Sequence, residues 1–289
     1  MAKELMLAAI ESTLSCLFTE GPQDLKKIDE AMAYSLLIPG KRLRALIPLL
    51  ILEASGQAWQ KGLYPACALE AVHTYSLVHD DLPCMDDDQY RRGKLCNHLV
   101  FGEAIGLLAG DGLLTEAFYL LNLGYTKGHY PAETALKLIE TLSFRAGRYG
   151  MIGGQLLDIE GNEDDDATRL RRLHSLKTGA LMEAAFLFGA YLADLKEEEI
   201  EFWSDFAQDF GLLFQIQDDL MDVLSTQEEM GKKPGSDQEQ NKLTYVSLYG
   251  LEKSQALAEK LFFDLLKGLE SKNAEGIKIM LQELKNRVR

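Results

Sequence analysis

Apolar side chains recur at intervals of three and four along most of this 289-residue chain, and that period constrains its folding more than any other feature. Leu5, Ala8, Ala9 and Leu17 keep it near the start, and Leu113, Ala117, Leu120 and Leu121 keep it in the middle. A backbone turning once every 3.6 residues places such positions on one face, which must be buried against another helix. Period-two alternation, the mark of a half-buried strand, is hard to find. Gly21-Pro22, Pro39-Gly40, Gly128 to Pro131, Gly161-Asn162 and Gly231 to Gly235 interrupt the pattern as turns, leaving helices of about 12 to 20 residues. No long Pro, Gly or Ser linker, low-complexity block or short repeat divides it. Residues 1–289 therefore read as one all-α domain of antiparallel helices.

Two groups of carboxylates break this apolar pattern. Asp80-Asp81 follows the helical stretch Leu69 to His79 and precedes Leu82-Pro83-Cys84-Met85 and then Asp86-Asp87-Asp88. An unbroken helix would carry Asp86 to the far side, but Pro83 lacks a backbone donor and disfavours helix at Leu82. Distortion there is expected to swing Asp86 back beside the first pair. The second group, Asp218, Asp219 and Asp222, lies in an apolar helix expected over residues 202–224, with Asp218 and Asp222 one turn apart. Crowded carboxylates repel one another, and Mg²⁺ takes carboxylate oxygens together with water and substrate phosphates. Asp164-Asp165-Asp166 differs: it follows a Gly-Asn turn and precedes a helix start near Thr168, so it reads as a charged loop.

The charge balance limits what else such a chain could bind. Lys and Arg number 30 against 45 Asp and Glu, a formal charge of −15, which argues against nucleic acid and against an anionic membrane surface. A chain this acidic that handles polyanions needs its few cations in clusters, or metal ions. Lys41, Arg42 and Arg44 follow Pro39-Gly40 at a turn into an apolar helix, a suitable place for phosphate. Arg91-Arg92-Gly93 follows the first acidic group, where a salt bridge to Asp86–Asp88 is the alternative reading. Lys177-Thr178-Gly179, Lys232 and Lys242 add cations near glycines, and His73 stands two helical turns before Asp80. Cys16, Cys67, Cys84 and Cys96 show no metal or disulfide spacing. The N-terminus lacks a long apolar core, and the best apolar run, Ala45 to Leu52, is short and contains Pro48. A cytoplasmic protein without stable membrane anchoring is expected.

Taken in order, Gly40-Lys41-Arg42-Leu43-Arg44, Asp80-Asp81-x4-Asp86, Arg91-Arg92-Gly93, Gly150 to Gln155, Lys177 to Leu181 and Gln215-x2-Asp218-Asp219-x2-Asp222 resemble the motif series of the trans-isoprenyl diphosphate synthases. The resemblance runs over residues 38–246 and is strongest to the bacterial farnesyl diphosphate synthase type, through the two-residue insertion Pro83-Cys84. Ala45 stands where that family commonly has proline.

The resemblance implies a large helical bundle around a central cavity and a prenyl transfer that depends on Mg²⁺, three ions per site, with Mn²⁺ as a substitute. Asp80, Asp81 and Asp86 would hold two ions and Asp218, with Asp219 and Asp222, the third. Lys177, Lys232, Lys242 and Arg91 would touch the allylic diphosphate. Gly40, Lys41, Arg44, His73 and Arg92 would form the isopentenyl diphosphate pocket, and Thr178 and Gln215 would line the allylic side. Tyr75 and Ser76, five and four residues before Asp80, would set product length, a bulky Tyr75 fitting a fifteen-carbon product. Family members usually form homodimers. A geranylgeranyl diphosphate synthase, a terpene cyclase and a non-catalytic partner subunit are the alternatives; Lys41, Arg44 and His73 argue against the cyclase, and two intact acidic groups against the partner subunit.

Overall fold

The computed structural model describes residues 2–19, 21–161, 167–224 and 243–287. Helix α1 (Ala2–Cys16) buries Met6, Ile10 and Leu14, one residue on from the stripe read in the sequence, and Leu5 is exposed. Both sets satisfy the helical period; the unbroken run of larger side chains faces inward. Helices α2 (Lys26–Leu36) and α3 (Leu43–Ala54) follow, then a single 3₁₀ turn and α4 (Leu63–Asp80). Every residue of α3 from Ala45 to Leu52 is buried, Pro48 included. A helix apolar on all sides belongs at the centre of a bundle.

After α4 the chain forms a small antiparallel hairpin, β1 (Tyr90–Arg91) and β2 (Lys94–Leu95). Arg92 (φ 52°) and Gly93 (φ 76°) at its tip are both left-handed, as a tight two-residue hairpin turn requires. The remaining described elements are helical: α5 (Asn97–Phe101), α6 (Glu103–Thr126), α7 (Ala132–Ala146), α8 (Met151–Ile159), α9 (Ala167–His174), a π turn (Ser175–Gly179), α10 (Ala180–Leu192), α11 (Glu197–Leu224), α12 (Tyr245–Tyr249), α13 (Leu251–Gly268) and α14 (Glu275–Lys285). The turns read at Asn162 and at 231–235, and Asp164–Asp166, lie outside the described residues.

Helix α10 is the second central helix, buried on nearly its whole circumference and packed against α3, α7 and α11. Phe186 of α10 meets Trp203, Phe206 and Phe210 of α11 with ring centroids 5.4–5.7 Å apart. Burying such a ring stabilises the fold by roughly 1.5–3 kcal/mol. Helices α4 and α11 both pack on α10, and each carries its acidic group near its C-terminal end.

Helix α6 is, besides α3, a further long apolar segment. Its 24 residues, at mean hydropathy 1.4, are long and apolar enough to cross a membrane by length and composition. One face, with Ala109, Leu113, Ala117, Leu120 and Leu121, is buried in the bundle, where the helix packs along α4. The other exposes Leu107, Leu108, Tyr119 and Tyr125.

Candidate active site between two acidic helices

Helix α4 stops at Asp80 instead of bending through it. The loop that follows folds back, with the Met85 amide donating to the Leu82 carbonyl at 2.9 Å and the Asp86 amide to the Asp80 carbonyl at 2.9 Å. Asp86 thus returns beside Asp80, the arrangement anticipated from Pro83. Burial pushes the Asp80 carboxyl up to about 6, Lys177 pulling it down and Asp86 pushing it further up. Asp81 is buried and turned toward the hairpin, where Arg91 Nε donates to its Oδ1 at 2.6 Å and Arg91 also reaches Asp88 at 3.1 Å. Below this rim Tyr75 is buried next to Asp80; its hydroxyl, which has no hydrogen-bond partner among the described residues, is pushed up to about 12 by burial. The Ser76 hydroxyl donates to the His73 carbonyl of its own helix at 2.9 Å.

The π turn between α9 and α10 packs against α8 and α11. A single wide turn of this kind is uncommon and is often found at functional sites. Lys177 lies near enough to influence Asp80 and pairs through Nζ with Asp158 Oδ2 of α8 at 2.5 Å. The adjacent Thr178 donates from Oγ1 to Gln215 Oε1 of α11 at 3.1 Å, and Gln215 Nε2 donates to Asp219 Oδ1 at 3.2 Å. Asp219 also accepts the Tyr245 amide at 2.8 Å, so it tethers the start of α12. Asp222 is buried beside it on α11. Asp218 faces a different set of groups. Arg287 contacts its Oδ1 at 2.8 Å, and surrounding atoms raise its carboxyl while Arg287, Arg44 and Lys41 pull it down.

Lys41 and Arg44 start from the turn before α3. The missing side chain of Gly40 leaves room for the Arg92 guanidinium, whose NH1 would stand 2.4 Å from a β-carbon there and would have to shift to admit one. Arg42 is left-handed (φ 48°, ψ 36°), a conformation that costs a non-glycine residue about 1–2 kcal/mol. Its side chain is buried against Glu70 and Glu11. His73 lies among Arg44, Arg92 and Arg91, and burial together with those cations holds its imidazole well below the usual value, hence neutral. Desolvation and Arg287 lower the Lys41 ammonium. A cavity of about 380 Å³ opens beside it, lined by Lys3, Lys41, Glu283 and Arg287 with apolar Leu7, Leu43, Phe210, Met280 and Leu284.

Groups next to the two acidic helices meet at two places: Lys177 acts on Asp80 of α4 while its neighbour Thr178 hydrogen-bonds Gln215 of α11, and Arg44 acts on both Glu70 of α4 and Asp218 of α11. Among the described residues no three His, Cys, Asp or Glu side chains are already gathered into a metal-holding group. Asp80 and Asp86 adjoin, while Asp81 engages Arg91 and Asp218 engages Arg287. The donor chemistry fits Mg²⁺, which takes hard carboxylate oxygens and keeps several waters or phosphates. A carboxyl at about 6 beside a second carboxylate is also a place where a divalent cation relieves both burial and repulsion. Lys232 and Lys242 lie outside the described residues.

Sequence reading missed Arg287, Asp158 and the part played by Glu70. Asp158, four residues after Gly154, and Glu70, three before His73, stand at helical spacing from residues already singled out and were within reach of a periodicity argument. Nothing local marks Arg287, whose approach to Asp218 depends on where α14 packs.

A family model described as polyprenyl synthetase matches residues 25–284. The chain is 47% identical over 247 residues to a farnesyl diphosphate synthase of Bacillus subtilis, covering 84% of this chain and 82% of that one. It is 44% identical over 236 residues to a geranylgeranyl diphosphate synthase of Cyanophora paradoxa, covering 81% and 78%. Among solved structures it resembles a geranyltransferase of Helicobacter pylori complexed with magnesium and isoprenyl diphosphate, with TM-score 0.83, 31% identity and coverage of 98% and 94%.

Proposed function

Because the chain belongs to the polyprenyl synthetase family and is a prenyltransferase, we propose that it joins isopentenyl diphosphate to dimethylallyl or geranyl diphosphate and releases farnesyl diphosphate. The observation that carries this reading is that two acidic helix ends each have a basic group acting on them, Lys177 on Asp80 and Arg44 on Asp218. A single site is thereby provided with carboxylates for metal and with basic groups for two diphosphates.

The difficult step is breaking the allylic C–O bond, which leaves an allylic cation and a diphosphate. Lys177 and Arg91, beside the first acidic group, would stabilise that negative charge. Magnesium held by Asp80, Asp81, Asp86 and Asp218, with Asp219 and Asp222 in support, would supply further positive charge to the same leaving group. Lys41, Arg44 and Arg92, with His73 and Gly40, would hold isopentenyl diphosphate so that its double bond lies against the allylic carbon, and positioning then supplies much of the rate. Thr178 and Gln215, hydrogen-bonded to each other, would line the reacting face. The released diphosphate is the nearest strong acceptor for the proton lost afterwards. His73 is already neutral among arginines, which suits it to hydrogen bonding more than to carrying charge.

Buried Tyr75, next to Asp80, supports a chain stopped at fifteen carbons. The test is to incubate purified protein with Mg²⁺ and both substrates and to separate the products by chromatography with mass detection. Farnesyl diphosphate is expected; a twenty-carbon main product moves the assignment to geranylgeranyl diphosphate synthesis, and no elongation at all sinks the reading. The exposed Leu107, Leu108, Tyr119 and Tyr125 on α6 support a homodimer formed through that helix.

A further inference from the structure

Arg42 lies between the two cations assigned above to isopentenyl diphosphate, Lys41 and Arg44, yet its own side chain runs into the protein and the residue is only 3% exposed. Its guanidinium is used on every side. Nε donates to Glu11 Oε1 at 2.7 Å and NH1 to Glu70 Oε2 at 3.2 Å. NH2 donates to the Leu36 carbonyl at 2.8 Å, to the Ile38 carbonyl at 3.2 Å and to Glu11 Oε2 at 3.3 Å. One side chain thus ties α1, the end of α2 and α4 to the first residue before α3. All three of its nitrogens are engaged inside the protein, away from the surface that Lys41 occupies.

The backbone at this residue is as informative as the side chain. Arg42 is left-handed, which glycine or asparagine would adopt at less cost. The strain persists because five hydrogen bonds over-determine it. Turning the chain here fixes the origins of Lys41, immediately before it, and of Arg44, in the first turn of α3. Lysine could not replace Arg42: its compact ammonium lacks the planar fork that meets two carboxylates and two carbonyls at once.

We infer that Arg42 is a positioning residue, a guanidinium clamp that presets Lys41 and Arg44 for a diphosphate that it does not itself touch. This rests on the proposed role of Lys41 and Arg44. Holding two long cationic side chains at a fixed origin lowers the ordering cost of binding, so the effect belongs to affinity for one substrate and not to the chemical step.

Arg42→Gly keeps a residue that is at ease in the left-handed conformation and removes the clamp. Expected are a rise of at least tenfold in KM for isopentenyl diphosphate, a matching loss of binding by calorimetry, and KM for the allylic diphosphate and kcat within threefold of the parent. Methylguanidinium at millimolar concentration should restore part of the lost affinity. Glu11→Ala, which removes the more exposed partner, should give a weaker shift of about threefold in the same KM, and it decides the matter if Arg42→Gly does not fold. The clamp is overturned if KM for isopentenyl diphosphate stays at the parental value in a folded variant. It is equally overturned if both KM values and kcat change together in step with lost thermal stability. A parent protein with no turnover overturns the proposed function instead, and calorimetry with isopentenyl diphosphate then tests the clamp alone.

Discussion

Gly154 of α8 lies directly against the backbone of Lys177: a β-carbon at that position would stand 2.2 Å from the Lys177 amide nitrogen and 2.5 Å from its Cα. The contact is backbone on backbone, so neither side can give way by rotating a side chain. Gly154→Ala is expected to displace the π turn, lower kcat at least tenfold and destabilise the fold by about 1–3 kcal/mol. Gly268→Ala is the control, because its β-carbon would make only ordinary contact with Phe202 at 3.8 Å. Steady-state kinetics and thermal unfolding on both variants check the pair.

Asp80→Ala and Asp218→Ala should each lower kcat by about two to three orders of magnitude, the usual scale when charge stabilisation at a leaving group is removed. Their stabilities should differ from what their activities suggest. The Asp80 carboxyl is raised in the fold from 3.8 to about 6, so above that pH its charged form favours the unfolded chain. Removing it should leave the protein as stable as the parent or more so, by about 1 kcal/mol after allowing for its partial exposure. Full turnover in either variant would show that these carboxylates do not hold the metal.

Tyr75→Ala opens the space under Asp80. Products of twenty carbons or more should appear in place of the fifteen-carbon chain, with the rate of the first condensation little changed. Mass detection of dephosphorylated products reads this directly, and an unaltered distribution would return Tyr75 to ordinary packing.

His174 gives a pH signature of its own. It is buried against Tyr245, with ring centroids 5.7 Å apart, and burial pushes its imidazole down to about 4. A folded value below the unfolded 6.5 means that the unfolded chain binds the proton first. Stability from this group is therefore complete above pH 6.5 and is lost as pH falls toward 4, by about 3 kcal/mol in all. His174→Phe keeps the stacked ring and should remove this slope. The difference between the two denaturation profiles isolates the imidazole from the carboxylates that titrate nearby.

The helical class, the two acidic groups and the return of Asp86 were legible because each depends on local rules: apolar period, carboxylate spacing and the missing donor of Pro83. The buried face of α1 was misread, since Leu5 and Met6 begin stripes that satisfy the same period and only packing chooses between them. The hairpin at Arg91 was not foreseen, because two residues per strand are too few to show alternation. Pairings over long sequence distance were out of reach for a different reason. Arg287 meets Asp218, and Arg42 meets Glu70, only after separate helices have docked. No window along the chain contains both partners.

The wide turn at Ser175–Gly179 interrupts what is otherwise one continuous helical run from α9 into α10. Such a turn is what an ordinary helix becomes when a single residue is inserted and the flanks keep their registers. Consecutive residues then serve different neighbours, Lys177 reaching α8 and Thr178 reaching α11. Two neighbouring helices are thus served from adjacent positions, with the interior of α10 left undisturbed.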